Sequence, residues 1–404
     1  MIIKANPGVK LVTFLISPFI SLLIYMGDIK SKSTVALFAG FFILFGLSFV
    51  PVNEDADSYR YAEVFNTFSL EPEQNYKHAL DVYFGDTGME QREYKDIYVY
   101  TMYYLASKIG GRNIHVLFFL FALVFTFFAV KSFMFIVRDK NFNNTLPMYI
   151  LAFLFLYSNN IFNINGVRFW TASWMAVYFT LKIMIDKKYI YLLGIAALPL
   201  VHASMVLFWA FFSIAFLSRF TGIPLLSKIF LISFFFGEIG LQLIDVIYDR
   251  LPPVFQMLVW NYTETEWGQS RMDGSHDSDL PLYAKVFNEL PRIYEFILLY
   301  LASRKGHLMK NRGILGFTLA YFSFVNICSI IPSMARYFIV GYPLIIYIWV
   351  SNFEILKCYT KFLYLMPLAY CYSVFQWFRN VSSVTEWPLY ISNFFHITIR
   401  AFVD

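Results

Sequence analysis

The 404-residue sequence predicts an all-α membrane protein with about 12 transmembrane helices and amphipathic helices at its outer face. Hydrophobic residues make up 58% of the chain and charged residues only 15%, whereas a soluble domain carries about 25% charged residues. Apolar runs of about 17–25 residues, long enough to cross a bilayer, recur along the whole chain. These observations exclude a large soluble core, and we expect residues 1–404 to form a single transmembrane domain.

The apolar runs define the predicted spans, which lie near 11–26, 34–50, 114–137, 145–163, 168–185, 189–203, 204–218, 225–246, 290–303, 313–332, 334–351 and 358–378. We interpret the first run as a retained span rather than a signal peptide, because no small-residue cleavage site follows it. The sixth and seventh runs form one long apolar stretch. We divide it near His202, since Pro199 interrupts a helix.

The basic residues predict the orientation of these spans. If the loop "GDIKSKS" is cytoplasmic, alternation places five further loops on its side, at 131–144, 182–188, 219–228, 304–312 and 353–361. These six segments hold sixteen of the 32 lysines and arginines and only four of the 27 acids. Short basic loops face the cytoplasm. Both termini and the long loops 51–113 and 247–289 are therefore predicted to face outward.

The two long outer loops carry different patterns. The segment "YKDIYVYTMYYLASKIGG", from Tyr94 to Gly111, is amphipathic and rich in tyrosine, which predicts a helix lying in the membrane interface. The second loop contains "NYTETEWGQSRMDGSHDSD" and is polar and acidic. It suits either a lid over a site or a segment that contacts sugars.

Metal and nucleotide motifs are not found in the sequence. Cys328, Cys358 and Cys371 lie in or beside apolar runs and show no CxxC or Cys/His spacing, so neither a zinc site nor a disulfide framework is predicted. No P-loop or GxGxxG occurs. We expect no metal, no cofactor and no nucleic-acid partner.

Three cationic or protonatable side chains reach the outer end of a span in the predicted topology. Arg168 begins the fifth span, His202 ends the sixth and Arg336 begins the eleventh. Taken singly, an arginine at a helix mouth is more often a snorkelling headgroup anchor, and a lone histidine is more often a packed, hydrogen-bonded residue. Because all three reach one depth, we interpret them as parts of one site.

A cluster of this kind suits a diphosphate. The planar guanidinium fork matches phosphate oxygens, and two or three arginines neutralise a diphosphate without a metal. At the outer face of a membrane, the diphosphate of a lipid-linked sugar is the expected ligand. Asn163 and Asn165 add donors, although ordinary turn chemistry with Gly166 also explains them.

Acidic and aromatic residues follow the second span, in "VPVNEDADSYRYAEVF". Asp55 and Asp57 are candidates for the general base that a glycosyl transfer needs. Arg60 lies beside them, and Tyr59 and Tyr61 are available to stack on sugar rings. An acidic loop that caps the next helix is the alternative interpretation.

Glu238, in "FFFGEIGLQ", is the acid that we place deep within a span. An ionisable group inside a membrane is a functional candidate by default. A protonated glutamate that is bonded for structural reasons is an equally good interpretation.

Four stretches together resemble the EpsG/Wzy family of polysaccharide polymerases, which includes bacterial O-antigen polymerases. They are "NEDADSYRYAEVF", "NGVRFWTASWMAVYFTLKIM", "KKYIYLLGIAALPLVHASMVLF" and "ARYFIVGYP", in that order. The family usually has an Arg-Gln pair where this chain has Arg168 followed by Phe169. The resemblance implies a GT-C-like glycosyltransferase of the bacterial cytoplasmic membrane, acting at the outer face.

The resemblance also implies roles for particular residues. The family's arginines match Arg168 and Arg336, its histidine matches His202, and its acidic-aromatic element matches Asp55 through Tyr61. The late motif adds Tyr337 as a substrate contact. The arginines would stabilise the polyprenyl diphosphate leaving group, and His202, Asp55 or Asp57 would take the proton of the acceptor hydroxyl, with His202 favoured.

Other functions remain open at this stage. A flippase for lipid-linked oligosaccharides would also place arginines on a diphosphate path, but it should line its route in both leaflets. An O-antigen ligase uses a similar donor. A membrane acyltransferase needs a histidine facing the cytoplasm, where only His307 is predicted. The expected partners of a polymerase are its donor and acceptor glycolipids, membrane lipid and a chain-length regulator protein.

Overall fold

In a computed structural model, the chain is described over residues 5–52, 54, 56–84, 96–235, 256, 260, 281–329, 334–384 and 392–403. Helices and turns make up these residues, and no β-strand lies among them. Asp55, Glu238 and most of the predicted loop 247–289 lie outside the described residues. The predictions made for them stay predictions.

The α-helices that the structure describes are, in chain order, α1 (Pro7–Ile16), α2 (Pro18–Tyr25), α3 (Lys32–Ser48), α4 (Asp57–Phe68), α5 (Pro72–Phe84), α6 (Ile97–Gly110), α7 (Ile114–Val137), α8 (Leu146–Tyr157), α9 (Val167–Met184), α10 (Leu192–Ala197), α11 (Met205–Ser218), α12 (Ile223–Ser233), α13 (Leu282–Arg304), α14 (Arg312–Cys328), α15 (Phe338–Ser351), α16 (Phe353–Leu356), α17 (Thr360–Leu363), α18 (Met366–Val384) and α19 (Phe394–Val403). Short 3₁₀ helices precede α9 at Ile161–Gly166 and α15 at Met334–Tyr337.

Three of the described helical segments are long and apolar enough to cross a membrane, namely Ile114–Val137, Leu146–Met184 and Met334–Ser351. Shorter apolar helices of 10–17 residues, such as Lys32–Ser48 and Arg312–Cys328, occupy other predicted spans. To this extent the prediction of an all-α membrane protein is confirmed. The division of the long apolar stretch near His202 is also confirmed, because helical structure stops at Leu200 and resumes at Met205.

The prediction of a single span over 11–26 is wrong, because this run is a helical hairpin. Helix α1 ends at Ile16, and Pro18 begins α2. Lys10 Nζ donates a hydrogen bond to Asp28 Oδ2 at 2.5 Å, although 18 residues in one straight helix would separate their Cα atoms by about 27 Å. The Thr13 and Tyr25 hydroxyls are 3.1 Å apart. Both ends of the run therefore lie at the same level.

By contact clustering the chain divides into two compact units, one of Met1–Thr180, Ile190–Met205 and Gln376–Asp404 and one of Leu181–Tyr189 and Val206–Phe375. The core of the first is built on α3 and α7. These helices cross closely at Gly46. A Cβ atom added to this glycine would lie only 2.2 Å from the Cβ atom of Ala122. Small residues allow such backbone approach between membrane helices. Phe45, Phe118 and Phe121 fill the space around the crossing and are fully buried.

The second unit packs α12, α13, α14 and α15 together. Trp349 Nε1 donates to the Leu298 carbonyl oxygen at 3.0 Å and joins α15 to α13. Glu295, in the predicted 290–303 span, is fully buried and accepts a 2.8 Å hydrogen bond from the Tyr370 hydroxyl. Glu295, like Glu238, is therefore an acid that falls within a predicted span.

Loops that the basic residues assign to one side meet within each unit. In the first unit, Lys30 Nζ donates to the Phe142 carbonyl oxygen at 2.5 Å. The Tyr149 hydroxyl donates to the Gly27 carbonyl oxygen at 2.8 Å. These bonds join the loop "GDIKSKS" to the 131–144 region. On the other predicted side, Asn113 Nδ2 donates to the Ala401 carbonyl oxygen at 2.8 Å. These contacts agree with the predicted grouping of the loops, but the prediction that the N-terminus lies opposite the loop "GDIKSKS" is wrong, because Lys10 in α1 bonds Asp28 and Thr34.

Candidate functional site

The first turn of α9 is positioned by asparagines. Asn160 Oδ1 accepts from the Phe162 N–H at 3.2 Å and caps the 3₁₀ helix that leads into α9. The Trp377 indole donates to the same oxygen at 2.8 Å. Asn165 Oδ1 accepts from the Ser58 N–H at 3.2 Å. The last bond ties the start of α4 to the turn that presents Arg168.

Arg168 is held by two side chains that come from the first predicted outer loop. Its Nη1 donates to Asp96 Oδ2 at 2.9 Å, and its Nε donates to the Tyr61 hydroxyl at 2.9 Å. The guanidinium carbon also lies 5.3 Å from the centre of the Tyr61 ring. Arg168 is 27% exposed and Asp96 only 2%. The guanidinium plane is thus fixed on one edge by the protein.

Asp96 is a residue that the sequence reasoning missed. It occupies the N-cap position of α6, where an aspartate ordinarily accepts from the helix N–H groups, and the backbone of Val99 in the first turn interacts with its carboxylate. The sequence does contain a signal for it, since Asp96 is an acid at the N-terminus of the tyrosine-rich helix that we predicted to be amphipathic. Its carboxylate balances the charge of Arg168, so that charge does not require a lipid diphosphate to neutralise it.

Burial raises the pKa of Asp96 above the usual range of aspartate, and the guanidinium of Arg168 opposes this shift. The second carboxylate oxygen, Oδ1, is buried. The hydroxyls of Tyr98 and Thr171 are also buried, and these two side chains interact with each other. A polar cluster therefore lies under Arg168, inside the first unit.

One edge of the Arg168 guanidinium remains open to a ligand. Nη2 has no hydrogen-bond partner among the residues that the structure describes. An arginine offers five N–H donors in a fixed fork, and two nitrogens of this one are already bonded. The remaining donors suit one oxyanion better than a bidentate clamp on two phosphates.

The other residues predicted near Arg168 differ in exposure. Asp57 and Arg60 are exposed on the first turn of α4, and Tyr59 is half-buried. Asn163 is half-buried and Asn165 exposed in the 3₁₀ helix before α9. All five are accessible to a substrate, and their predicted roles stay predictions.

The predicted sugar-stacking role of Tyr61 is wrong for this structure. Tyr61 is 6% exposed and packs its ring against Phe121, with 5.9 Å between ring centres. Its hydroxyl accepts from Arg168 Nε. The ring belongs to the core, and the function of the side chain is to orient Arg168.

His202 lies in the break between the helices at Leu200 and Met205, and its ring packs edge-on against Phe169 at 5.5 Å. It therefore reaches the residue next to Arg168. The Ser204 backbone N–H donates to Nδ1 at 3.3 Å, with the Ser204 hydroxyl 2.8 Å away. An accepting Nδ1 places the proton of a neutral imidazole on Nε2. In this tautomer Nε2 is a hydrogen-bond donor, and the general-base role that we favoured for His202 stays a prediction.

Arg336 and Tyr337 belong to the second unit. Arg336 is half-buried in the 3₁₀ helix Met334–Tyr337. That it reaches the level of Arg168 stays a prediction. Tyr337 is fully buried, with its ring 5.1 Å from that of Phe211 and its carbonyl oxygen accepting from the Tyr321 hydroxyl at 2.8 Å. The assignment of Tyr337 as a substrate contact is wrong, because its ring is part of the core.

Among the described residues, no group of three or more histidines, cysteines or acids is arranged to hold a metal ion. No protein-family model matches the chain, and no curated protein or solved structure matches it either. The fold and the site thus define a helical membrane protein with a buried polar cluster that orients one partly exposed arginine.

Proposed function

We propose that the chain is a polysaccharide polymerase of the bacterial cytoplasmic membrane, which transfers a growing glycan from polyprenyl diphosphate onto a lipid-linked repeat unit at the outer face. The proposal includes a GT-C-like arrangement of about twelve predicted membrane segments, the first being the α1–α2 hairpin. The substrate class rests on the resemblance of four short motifs. The chemistry rests on the geometry around Arg168.

The orientation of Arg168 is the observation that supports the proposal most. Asp96 and Tyr61 bond two of its nitrogens at 2.9 Å, which leaves Nη2 for an anion. A donor held in place before the reaction stabilises developing charge without reorganising, and such electrostatic stabilisation is usually the largest catalytic contribution. Because Asp96 balances Arg168, further cations must share a diphosphate. Arg60 is the candidate within the first unit.

Asp57 is the better candidate for the general base. The acceptor hydroxyl forms a bond to the anomeric carbon of the donor glycan while the bond from that carbon to the diphosphate oxygen breaks. The hydroxyl proton passes to a carboxylate, and the electron pair leaves with the diphosphate. Asp57 is exposed on α4, the helix that also carries Tyr61. His202, with Nδ1 accepting from Ser204, instead donates to the substrate.

Turnover by purified protein in a membrane mimic tests this function. The substrates are polyprenyl-diphosphate-linked repeat units, supplied with and without EDTA. We expect a ladder of longer lipid-linked glycans in both conditions. Failure to form any new glycosidic bond, with translocation of the intact substrate, would indicate a flippase, and a single transfer to a different acceptor would indicate a ligase.

The EDTA arm examines the role of the arginines separately. If arginines alone balance the diphosphate, chelation leaves the rate unchanged. A rate that is lost on chelation and restored by magnesium or manganese would contradict this mechanism. In that case Asp57 and Asp55 would be examined as ligands, since carboxylates are the usual protein ligands of magnesium.

A further inference from the structure

A cavity of about 510 Å³ lies within the second unit, where the start of α12, the end of α13 and the start of α14 come together. The charged and polar side chains that line it are those of Arg219, Arg304, Arg312, His307, Thr221, Ser227 and Ser303. No acidic residue contributes to its lining among the residues that the structure describes. The cavity therefore concentrates positive charge.

Two glycines bring the walls of the cavity close together. At Gly306, which follows α13, a Cβ atom would lie 2.7 Å from the side chain of Ile223 at the start of α12. At Gly316 on α14, it would lie 3.1 Å from the carbonyl oxygen of Arg219. Larger residues would push these segments apart. The glycines thus keep Arg219 beside the turn that carries Arg304 and His307.

The three arginines that line the cavity have no acidic partner in the described part of the chain. Among the described residues, Arg304 donates to the Tyr300 hydroxyl at 3.4 Å, and Arg312 donates to the carbonyl oxygen of His307. Their other donors remain available to a ligand.

Arg219 shows that the cavity is built to hold a guanidinium in place. Its guanidinium carbon lies 3.3 Å from the centre of the Phe216 ring and 4.4 Å from that of Phe220. The planar guanidinium of arginine stacks flat on an aromatic face, which the compact ammonium of lysine cannot do. Nη1 of Arg219 is buried and has no hydrogen-bond partner in the described part of the chain. Buried donors are normally satisfied, so this atom indicates a missing acceptor.

The N-terminus of α12 adds to the same positive field. Helix α12 begins at Ile223, and Pro224 follows in its first turn. The residue at its N-cap position, Gly222, has no side chain that could accept from the first N–H groups of the helix. Gly222, Ile223 and Pro224 all line the cavity. Helix N-termini attract anions because their N–H groups and the helix dipole point outward.

We propose that this cavity binds a phosphate group. Arginine forks match phosphate oxygens, and basic pockets between membrane helices at the cytoplasmic side bind the headgroups of acidic lipids. Both loops that form the cavity, 219–228 and 304–312, are among the basic loops predicted to be cytoplasmic. Phe220 and Leu217 at the end of α11 are 79% and 72% exposed, so apolar surface for acyl chains adjoins the arginines. The ligand is the phosphate of an anionic phospholipid or a free phosphate.

Binding to the purified full-length protein tests the site. Nanodiscs of phosphatidylcholine alone, nanodiscs containing phosphatidylglycerol, and inorganic phosphate added to detergent-solubilised protein are the probes. The readouts are the melting temperature and the lipid retained in native mass spectrometry. Stabilisation by phosphatidylglycerol alone identifies a lipid headgroup, and stabilisation by inorganic phosphate identifies free phosphate. Stabilisation by neither probe overturns the proposal.

Substitutions separate a built site from general surface charge. Arg219→Gln and Arg312→Gln should each weaken the effective probe by at least ~10-fold, about 1.4 kcal/mol. Lys310→Gln removes the same charge from the same loop at an exposed residue that does not line the cavity, and it should change binding less than ~2-fold. Equal losses in all three variants would refute a specific site. If Arg219→Gln lowers expression, Arg219→Lys, which keeps the charge without the stacking, replaces it with the same expectation.

Discussion

At the scale of single residues, Arg168 shows how an arginine is accommodated near hydrocarbon. An unpaired arginine there costs several kcal/mol unless it reaches an anion or water. The partner turns out to be Asp96, which is nearly fully buried and 72 positions away in the sequence. Sequence reasoning identified Arg168 and missed Asp96, because nothing in the local pattern around either residue names the other.

Substitution of Arg168 by lysine distinguishes an oriented catalytic arginine from a simple anchor. Lysine keeps the charge, but it lacks the rigid planar fork in which Nε and Nη1 bond Tyr61 and Asp96 while Nη2 is held in a fixed position for the substrate. We expect Arg168→Lys to lower polymerisation by at least ~10-fold, about 1.4 kcal/mol of transition-state stabilisation, at near wild-type expression. Arg168→Ala should lose nearly all activity.

Arg112→Lys is the matched control, because Arg112 is exposed and is also predicted to lie on the outer side. It should retain the wild-type rate. Wild-type polymer length and rate in Arg168→Lys would leave Arg168 as a membrane anchor without a catalytic role.

Asp96 predicts a pH dependence of stability. Burial raises its pKa in the folded chain, so the folded state binds the proton more tightly than the unfolded chain. Its contribution to stability is complete below about pH 3.9 and declines as the pH rises through the raised pKa. Asp96→Asn should remove this decline, as measured by melting temperatures between about pH 3 and pH 7. A wild-type advantage over Asp96→Asn that increases with pH would show that Arg168 lowers the pKa more than burial raises it.

At the scale of elements, the sequence predicts one of two helix breaks correctly and misses the other. Pro199 predicts the break near His202. Pro18 is a signal of the same kind, but the run 11–26 has the composition of a single span, and the composition alone predicts no break there. A proline permits a break without specifying the direction in which the chain continues. The bonds from Lys10 to Asp28 and Thr34, at 2.5 and 2.8 Å, show that it turns back.

The hairpin predicts that both of its ends face the same side of the membrane. Phe19 and Phe41 lie 6.0 Å apart between ring centres, so the turn reaches the middle of α3. In a variant without the native cysteines, Gly8→Cys and Lys32→Cys should react with an impermeant maleimide from the same side. Asp57→Cys should react only from the opposite side. Labelling of Gly8→Cys and Lys32→Cys from opposite sides would show that the run 11–26 crosses the membrane as one span and is not a hairpin.

At the scale of the whole molecule, the distribution of basic residues predicts the orientation. Cysteines at Lys32, Asp186 and Lys305 should react only from the cytoplasm, and cysteines at Asp57 and Ser275 only from outside. The physical reason is that short basic loops are retained on the cytoplasmic side during insertion. One position that reacts from the unexpected side would invalidate the map, and with it the shared level of Arg168 and Arg336.

The sequence by itself determined the class of this protein and most of its helices. Hydrocarbon leaves no solvent for unpaired backbone groups, so a long apolar run must be helical whatever its neighbours are. That inference is local, and it holds for Ile114–Val137 and Met334–Ser351. Only the tertiary structure decided that Asp96 balances Arg168, that Tyr61 and Tyr337 are buried, and that the run 11–26 folds back. Each of these depends on side chains distant in sequence meeting in space, and no local pattern encodes which of them will meet.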